Sequence, residues 1–268
     1  MIRLALRVRR DEAELVLAEL LELAPNGVEE TDRGDVVEYA VYGAPGELPA
    51  LPALRAAAGR ALVEVETEEI PDDWYDGWKE FHRPVVVGGR LRVRPPWEAP
   101  GDDDLADVVI DPGMAFGTGS HDTTRMCLEL MLELEPGGAF ADLGCGSGVL
   151  AIAAARLGWG PIVALDHEAA AVEAAAANAR ANGVGIDVRR WDVRAESPPA
   201  APTIAANLLR PLLLDLAGSL HEGSRHLIAG GMLAGEADEV AAAFAARGLT
   251  EAARRSGGDW AALLLSRS

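Results

Sequence analysis

From about residue 107 onward, short apolar runs alternate with longer alanine-rich segments of helical spacing. The apolar runs have the length and composition of buried strands, and the segments between them have the length of helices. Because each helix returns the chain to the same end of the sheet, this alternation predicts an α/β fold with a parallel, doubly wound sheet. Ligands bind beyond the carboxyl ends of the strands in such sheets, so functional residues are expected there.

A glycine-rich turn follows the first strand of this region. The run "ADLGCGSGVLAIAAA" places Gly144, Gly146 and Gly148 between a strand and a helix, and Asp166 ends the next strand. Glycine lets the backbone turn tightly and approach a ligand, and an acid at the end of the second strand can accept hydrogen bonds from both hydroxyls of a ribose. The sequence therefore predicts a nucleoside cofactor that contacts Gly144, Gly146 and Asp166.

The charge around this turn distinguishes between nucleoside cofactors. Asp142 would repel the pyrophosphate of a dinucleotide, the glycine spacing differs from Gly-x-Gly-x-x-Gly, and the loop contains no lysine or arginine. S-adenosylmethionine instead carries an ammonium and a sulfonium, which Asp142 can stabilise directly or through a water molecule. We therefore expect S-adenosylmethionine, and we exclude a P-loop because no Gly-Lys-Ser/Thr is present in either glycine-rich run.

Two further polar residues follow later strands. Asp192 comes after the third strand, where it can accept a hydrogen bond from the adenine amino group or can simply be a solvated acid. Asn207 ends the fourth strand, beside the expected position of a transferred methyl group, and its carbonyl oxygen can accept a hydrogen bond from an incoming amine. The alternative is that Asn207 caps the following helix. Because Pro211 already begins that helix, we favour the role at the methyl group.

The first 70 residues follow a different pattern, with strands and helices in the order βαββαβ. This order predicts a small α+β domain of ferredoxin-like type. Residues 1–70 contain no histidine, cysteine or glycine-rich phosphate loop, which suits recognition better than chemistry. Residues 71–106 are expected to form a linker helix, with Trp74 and Trp78 on one face, and connecting strands. Residues 107–268 are expected to form the cofactor-binding domain.

Composition restricts the partners and the compartment. The 43 acidic and 24 basic side chains give a net charge of −19, which disfavours naked nucleic acid and suits either a basic macromolecule or solubility alone. No apolar run is long enough to cross a membrane and the first residues do not form a signal peptide, so we expect a cytoplasmic protein without a membrane partner. Cys127 and Cys145 lack the spacing of metal ligands and are expected to be reduced and buried.

Four segments, in this order and spacing, resemble the PrmA family, the methyltransferases of ribosomal protein L11: "IDPGMAFGTGSHDTT", "DLGCGSGVLAIAAARLG", "ALDHEAAAVEAAAANARANGV" and "AANLLRPLL". The resemblance covers nearly the whole chain. It implies a class I, Rossmann-like, S-adenosylmethionine-dependent methyltransferase domain with a seven-stranded sheet, preceded by a domain that grips the ribosomal protein. The implied reaction is methylation of lysine ε-amino groups and of the N-terminal α-amino group of L11.

By motif match, Thr124, Gly144, Asp166 and Asn207 correspond to the cofactor-binding positions of that family. Asn207 is the candidate catalytic residue among them. None of the matched residues is an obvious general base for the substrate amine. We expect His121 to shape its loop rather than to abstract a proton. Ser120 and Asp122 depart from the family pattern, as does His167, to which we assign no role.

The run "DPGMAFGTGSHDTT", residues 111–124, is more specific to this family than the glycine loop. It has no strand-to-helix turn followed by an acid, so we expect a flap that closes on the other side of the cofactor. In that role Phe116 would lie against the ligand, Gly117 and Gly119 would let the backbone approach it, and Thr124 would donate a hydrogen bond to it.

Two alternatives to this function stay open at the level of sequence. One is a related protein-lysine methyltransferase with another substrate, and the other is a catalytically silent assembly factor that only binds the cofactor. The presence of Asn207 and of the complete "GTGSHDTT" run argues against the silent factor, because binding alone does not need an acceptor at the methyl group. We expect no metal and a monomer.

Overall fold

The computed structural model describes residues 2–13, 16–17, 20, 28–43, 48, 54–55, 58–69, 83–112 and 121–267. The chain divides into two compact units, Met1–Phe81 and His82–Ser268. Their border lies inside the segment 71–106 that the sequence assigns to a linker. Trp74 and Trp78 lie outside the described residues.

The first unit contains a four-stranded antiparallel sheet in the order β2-β3-β1-β4. Its strands are β1 (Ile2–Arg9), β2 (Glu29–Asp32), β3 (Val36–Gly43) and β4 (Leu62–Glu69). Helical residues occur between β1 and β2 and between β3 and β4, and their apolar side chains, such as Val16 and Leu54, pack with Leu6 and Tyr39 of the sheet. This strand order confirms the ferredoxin-like prediction.

The face of this sheet opposite the apolar core carries a buried acid. Glu38 is 1% exposed and accepts hydrogen bonds from Arg3 (2.6 Å), Arg7 (2.7 Å) and Arg33 (2.8 Å). The Arg33 guanidinium, followed by those of Arg7 and Arg3, lowers the pKa of Glu38 to about 2 against the opposing effect of burial. A buried carboxylate with three partners satisfies the requirement that buried charges be paired.

The second unit begins with a three-stranded sheet in the order β5-β6-β7. Its strands are β5 (Val85–Val87), β6 (Leu91–Arg94) and β7 (Ala106–Val109). Strands β6 and β7 are parallel, and β5 is antiparallel to β6. Arg94 pairs with Asp107 across the parallel strands through both carboxylate oxygens, a geometry that adds strength and direction.

A seven-stranded sheet in the order β10-β9-β8-β11-β12-β14-β13 forms the centre of the second unit. Its strands are β8 (Phe140–Leu143), β9 (Ile162–Asp166), β10 (Asp187–Arg190), β11 (Thr203–Asn207), β12 (His226–Leu233), β13 (Thr250–Gly257) and β14 (Trp260–Ser266). Strands β8 to β12 all pair in parallel with one another. Strand β14 is antiparallel to both of its neighbours, β12 and β13. The prediction of a seven-stranded, doubly wound sheet is confirmed, and β14 alone among these seven strands runs opposite to the other six.

Helices cover both faces of the seven-stranded sheet. They are α1 (Asp122–Met131), α2 (Val149–Leu157), α3 (Ala169–Ala181), α4 (Arg210–Ser219) and α5 (Ala237–Ala245). The first three pack in one apolar core with Ala205 of β11, and the last two pack in another with Ile204 and Ala206. Successive side chains of one strand therefore enter opposite cores, as a doubly wound sheet requires.

Cys127 and Cys145 are both buried and form no disulfide, in agreement with the sequence prediction. No helix within the described residues is both long enough and apolar enough to cross a membrane.

Candidate functional site

The turn between β8 and α2 has the backbone conformation that only glycine adopts readily. Gly144, Gly146 and Gly148 have φ values of 72°, 52° and 80°, in the left-handed region. The N–H groups of Gly144 and Cys145 donate to the carbonyl oxygen of Leu165 at 2.8 and 3.0 Å, which ties the turn to β9. A side chain at position 144 would also have to displace the end of the Leu208 side chain.

Asp166 ends β9 and braces the same turn. Its Oδ2 accepts from the N–H of Gly146 at 2.9 Å, and its Oδ1 accepts from the N–H of Glu168 at 3.0 Å. Each carboxylate oxygen can accept a second hydrogen bond, so Asp166 still has acceptor capacity for a ligand. The exposed His167 lies beside it, with Nδ1 at 3.5 Å from Oδ1 of Asp166.

Asp142 lies beneath the turn and is fully buried. Its Oδ2 accepts from the N–H of Ala151 in the first turn of α2 at 3.0 Å, whereas its Oδ1 has no hydrogen-bond partner among the described residues. Burial raises the pKa of Asp142 to about 7, and the nearby charge of Asp166 acts in the same direction. Asp142 is not among the residues that line the cavity described below, so its role towards a ligand stays a prediction.

Asn207 ends β11, between β8 and β12, and faces the first turn of α1. Its Nδ2 lies 3.4 Å from Oγ1 of Thr123 and 3.4 Å from Oγ1 of Thr124, both of which are buried. Its Oδ1 is buried and accepts no hydrogen bond from the described residues. The alternative that Asn207 caps the following helix is wrong, because Leu209 occupies the N-cap of α4 and no side chain caps that helix.

One cavity joins these strand ends. It contains Thr124, Gly144, Gly146, Asp166 and Asn207 in its wall, and the remaining lining residues are Cys145, Val149, Leu150, His167, Glu168, Ala171, Leu208 and Leu212. Five of the ten site residues predicted from the sequence therefore meet in one place.

A smaller cavity shares Gly144, Asp166 and Leu208 with the first and extends to Asp192. Asp192 is exposed, and its Oδ1 accepts from the N–H of Arg194 at 2.9 Å. Asp192 can therefore still be either an acceptor for the adenine amino group or a solvated acid, since Oδ1 shapes its loop and Oδ2 is available to accept a hydrogen bond. Phe116, Gly117 and Gly119 lie in residues 113–120, outside the described part of the chain.

Two asparagines at the C-terminal end of α3, which the sequence analysis did not identify, connect the glycine turn to the start of the run 111–124. Asn178 accepts from the N–H of Asp111 at 3.0 Å and donates to the carbonyl oxygen of Ser147 at 2.9 Å. Asn182, one helical turn later, bonds both the N–H and the carbonyl oxygen of Val109, at 2.9 and 2.6 Å. Asn182 thus satisfies backbone groups at the end of β7 and Asn178 does so just after it, which explains why two polar residues are buried there.

Comparison with known proteins identifies relatives of the chain. The family model described as "Ribosomal protein L11 methyltransferase (PrmA)" matches residues 49–268. The ribosomal protein L11 methyltransferase of Symbiobacterium thermophilum is 41% identical over 200 residues, which are 72% of this chain and 65% of the relative. The enzyme of that name from Burkholderia multivorans is 34% identical over 278 aligned positions, covering 90% of each chain.

Among solved structures, the ribosomal protein L11 methylase of Lactobacillus delbrueckii subsp. bulgaricus matches with a TM-score of 0.61 at 30% identity. The match covers 70% of this chain and 100% of that one. The chain spans somewhat less than two thirds of the length of the first relative named above.

Proposed function

The chain belongs to the ribosomal protein L11 methyltransferase (PrmA) family, and on this premise we propose that it transfers methyl groups from S-adenosylmethionine to amino groups of ribosomal protein L11. The observation that carries the proposal is the single cavity whose wall contains Thr124, Gly144, Asp166 and Asn207, the four residues matched to cofactor positions of the family.

The chemistry of this wall fits S-adenosylmethionine. Asp166 retains acceptor capacity for ribose hydroxyls, and the turn that begins at Gly144 lets the backbone approach a ligand closely. None of the described residues that line the larger cavity is lysine or arginine, so this part of the wall offers neither cation to a phosphate. The buried Oδ1 of Asn207 lacks a donor among the described residues, and an unpaired buried acceptor costs about 1–3 kcal/mol. A donor on a bound molecule would remove that cost.

When bound, S-adenosylmethionine supplies a methyl carbon on a positively charged sulfur; an amine nitrogen can bond to that carbon while the carbon–sulfur bond breaks and the sulfur leaves as a neutral thioether. Asn207 would accept a hydrogen bond from the substrate amine at Oδ1 and so orient the nitrogen lone pair, a positioning effect that supplies much of the rate in such reactions. Asp166 would hold the ribose. Thr124, beside Asn207, would donate its hydroxyl to the cofactor.

The substrate amine must lose a proton before it attacks, because a lysine has a pKa of about 10.4 in water. Apolar side chains form part of the cavity wall, among them Val149, Leu150 and Leu208. Contact with these apolar side chains would remove water from the amine and so lower its pKa, and water would accept the proton. His121 does not serve as the base in this scheme, since its Nδ1 is already engaged by Thr123 at 2.8 Å.

We assign recognition of the ribosomal protein to residues 1–70, with residues 71–106 as the connection and residues 107–268 as the methyltransferase domain. The net charge of −19 supports a basic protein partner, because opposite charge accelerates encounter and favours docking. A ribosomal protein substrate also supports a cytoplasmic site of action.

Two substitutions separate cofactor binding from methyl transfer. Asp166→Ala should weaken S-adenosylmethionine binding in calorimetry, because it removes the ribose acceptor. Asn207→Ala should lower turnover on L11 more than cofactor affinity. Asp187→Ala, an exposed acid on β10, is the matched control and should change neither quantity. Unchanged affinity in Asp166→Ala, or equal losses of both quantities in Asn207→Ala, would contradict these roles.

A further inference from the structure

A short chain of hydrogen bonds begins at the N-terminus of α1. His121 is the N-cap residue of this helix, and its Nδ1 lies 3.3 Å from the backbone N of Thr123 and 2.8 Å from Oγ1 of Thr123. A backbone N–H can only donate, so Nδ1 accepts and the proton of the neutral ring is on Nε2. The contact at 2.8 Å then requires that Thr123 donate its hydroxyl proton to Nδ1.

The imidazole ring is also held from its other side. Trp260, the first residue of β14, contacts it edge to face, with ring centroids 5.5 Å apart and an interplanar angle of 67°. Aromatic pairs favour this geometry because the edge of one ring meets the face of the other. His121 therefore has a defined orientation from which to accept the Thr123 proton.

The direction of this bond fixes the next one. With its proton committed to His121, Oγ1 of Thr123 presents only lone pairs to Asn207, so the group that faces it must be the donor Nδ2, at 3.4 Å. The opposite orientation of the carboxamide would place Oδ1 against those lone pairs. In the orientation observed, Oδ1 is turned towards β12, where a Cβ built on Gly230 would be 3.0 Å from it.

We propose that Thr123, oriented by His121, is a positioning residue that holds the carboxamide of Asn207 in a single orientation at the site of methyl transfer, with Nδ2 towards the two threonines. This inference rests on the proposed methyl transfer. Thr123 is 1% exposed and is absent from the wall of the cavity, so it acts through Asn207 and not by contact with a ligand. Its neighbour Thr124 lines the cavity, so two adjacent threonines have different tasks.

Thr123→Val removes the hydroxyl and keeps the shape of the side chain, whereas Thr123→Ser keeps the hydroxyl. We expect kcat on L11 to fall by about 10-fold or more in the valine variant, a loss typical of small misplacements of a reacting group, with cofactor affinity retained. The serine variant should recover most of the turnover. Thr203→Val, which removes a buried hydroxyl at the other end of β11, is the matched control and should resemble the wild type.

A second readout does not depend on activity. The side-chain amide signal of Asn207 in a ¹H–¹⁵N NMR spectrum can be assigned as the one lost in Asn207→Asp. It should move in Thr123→Val and stay in place in Thr203→Val. An unmoved signal in Thr123→Val, wild-type kcat in that variant, or a serine variant as impaired as the valine variant would each overturn the proposal. A wild-type chain that leaves L11 unmethylated would contradict the proposed function, and the NMR comparison would still decide the role of Thr123.

Discussion

Replacing Asp142 with asparagine tests the electrostatics beneath the glycine turn. Burial raises the pKa of this carboxyl from its ordinary value of 3.8 to about 7, and one pH unit is worth about 1.4 kcal/mol. In the unfolded chain Asp142 ionises near its ordinary value, whereas in the folded chain it keeps its proton to about pH 7. Between these values unfolding releases a proton, so the free energy of unfolding falls as the pH rises.

The difference of about 3 units between the two pKa values corresponds to a destabilisation of the folded chain by about 4 kcal/mol. This destabilisation is absent below about pH 4 and complete above about pH 7. Asp142→Asn cannot ionise and should lose this dependence. Urea unfolding of both proteins should therefore show the variant gaining up to about 4 kcal/mol relative to the wild type between about pH 4 and pH 8. Asp187→Asn, at an exposed position, should show no such gain. If the free energies of unfolding of Asp142→Asn and the wild type differed by a constant amount over this range, the raised pKa of the buried Asp142 would be refuted.

Three other substitutions probe the sheet of the first unit and the surroundings of the site. Glu38→Gln should lower the free energy of unfolding by about 3 kcal/mol at neutral pH, because the lowered pKa of Glu38, about 2, stabilises the wild-type fold above pH 4.5. This stabilisation is lost as the pH falls towards 2, so the difference between variant and wild type should shrink there. A difference that does not depend on pH in urea unfolding would contradict the prediction. Asn178→Leu breaks the bond to Ser147 and should weaken S-adenosylmethionine binding in calorimetry, and wild-type affinity would show that the bond does not support the turn. Gly230→Ala would place a methyl group against the carboxamide of Asn207 and should lower turnover by about 10-fold. Gly235→Ala, whose added methyl meets no atom within 4 Å, is the control and should keep the wild-type turnover. Equal turnover in the two variants would contradict the close packing at Gly230.

The parallel part of the sheet and its site could be predicted because both depend on local pattern. Strands β8, β9 and β11 are buried on both faces, so they appear in the sequence as short apolar runs. The residues that end them, Asp166 and Asn207, are brought together by the topology of a parallel sheet, whatever the details of packing. Gly144 was predictable for the same reason, since a turn from strand to helix at the sheet edge needs a left-handed residue.

The features that sequence reasoning missed depend on tertiary contacts. Strand β13, "TEAARRSG", lies at the edge of the sheet and is largely exposed, so it has no apolar run to mark it. Asn178 and Asn182 are four positions apart at the end of an alanine-rich helix, a weak sign of a buried polar face. Only the fold shows that Asn182 bonds Val109 of β7 and that Asn178 bonds Asp111 just after it. The task of Thr123 likewise emerges only from the direction of its bond to His121.

The central claim is that this chain methylates ribosomal protein L11 with S-adenosylmethionine. Its most direct test incubates the purified chain with methyl-labelled cofactor and unmethylated L11, beside a second basic ribosomal protein, and maps the label by mass spectrometry. We predict label on lysine ε-amino groups and on the N-terminal amine of L11, none on the second protein, and a strong reduction with Asn207→Ala. Label on the other protein but not on L11, or tight cofactor binding without transfer to either, would contradict the claim.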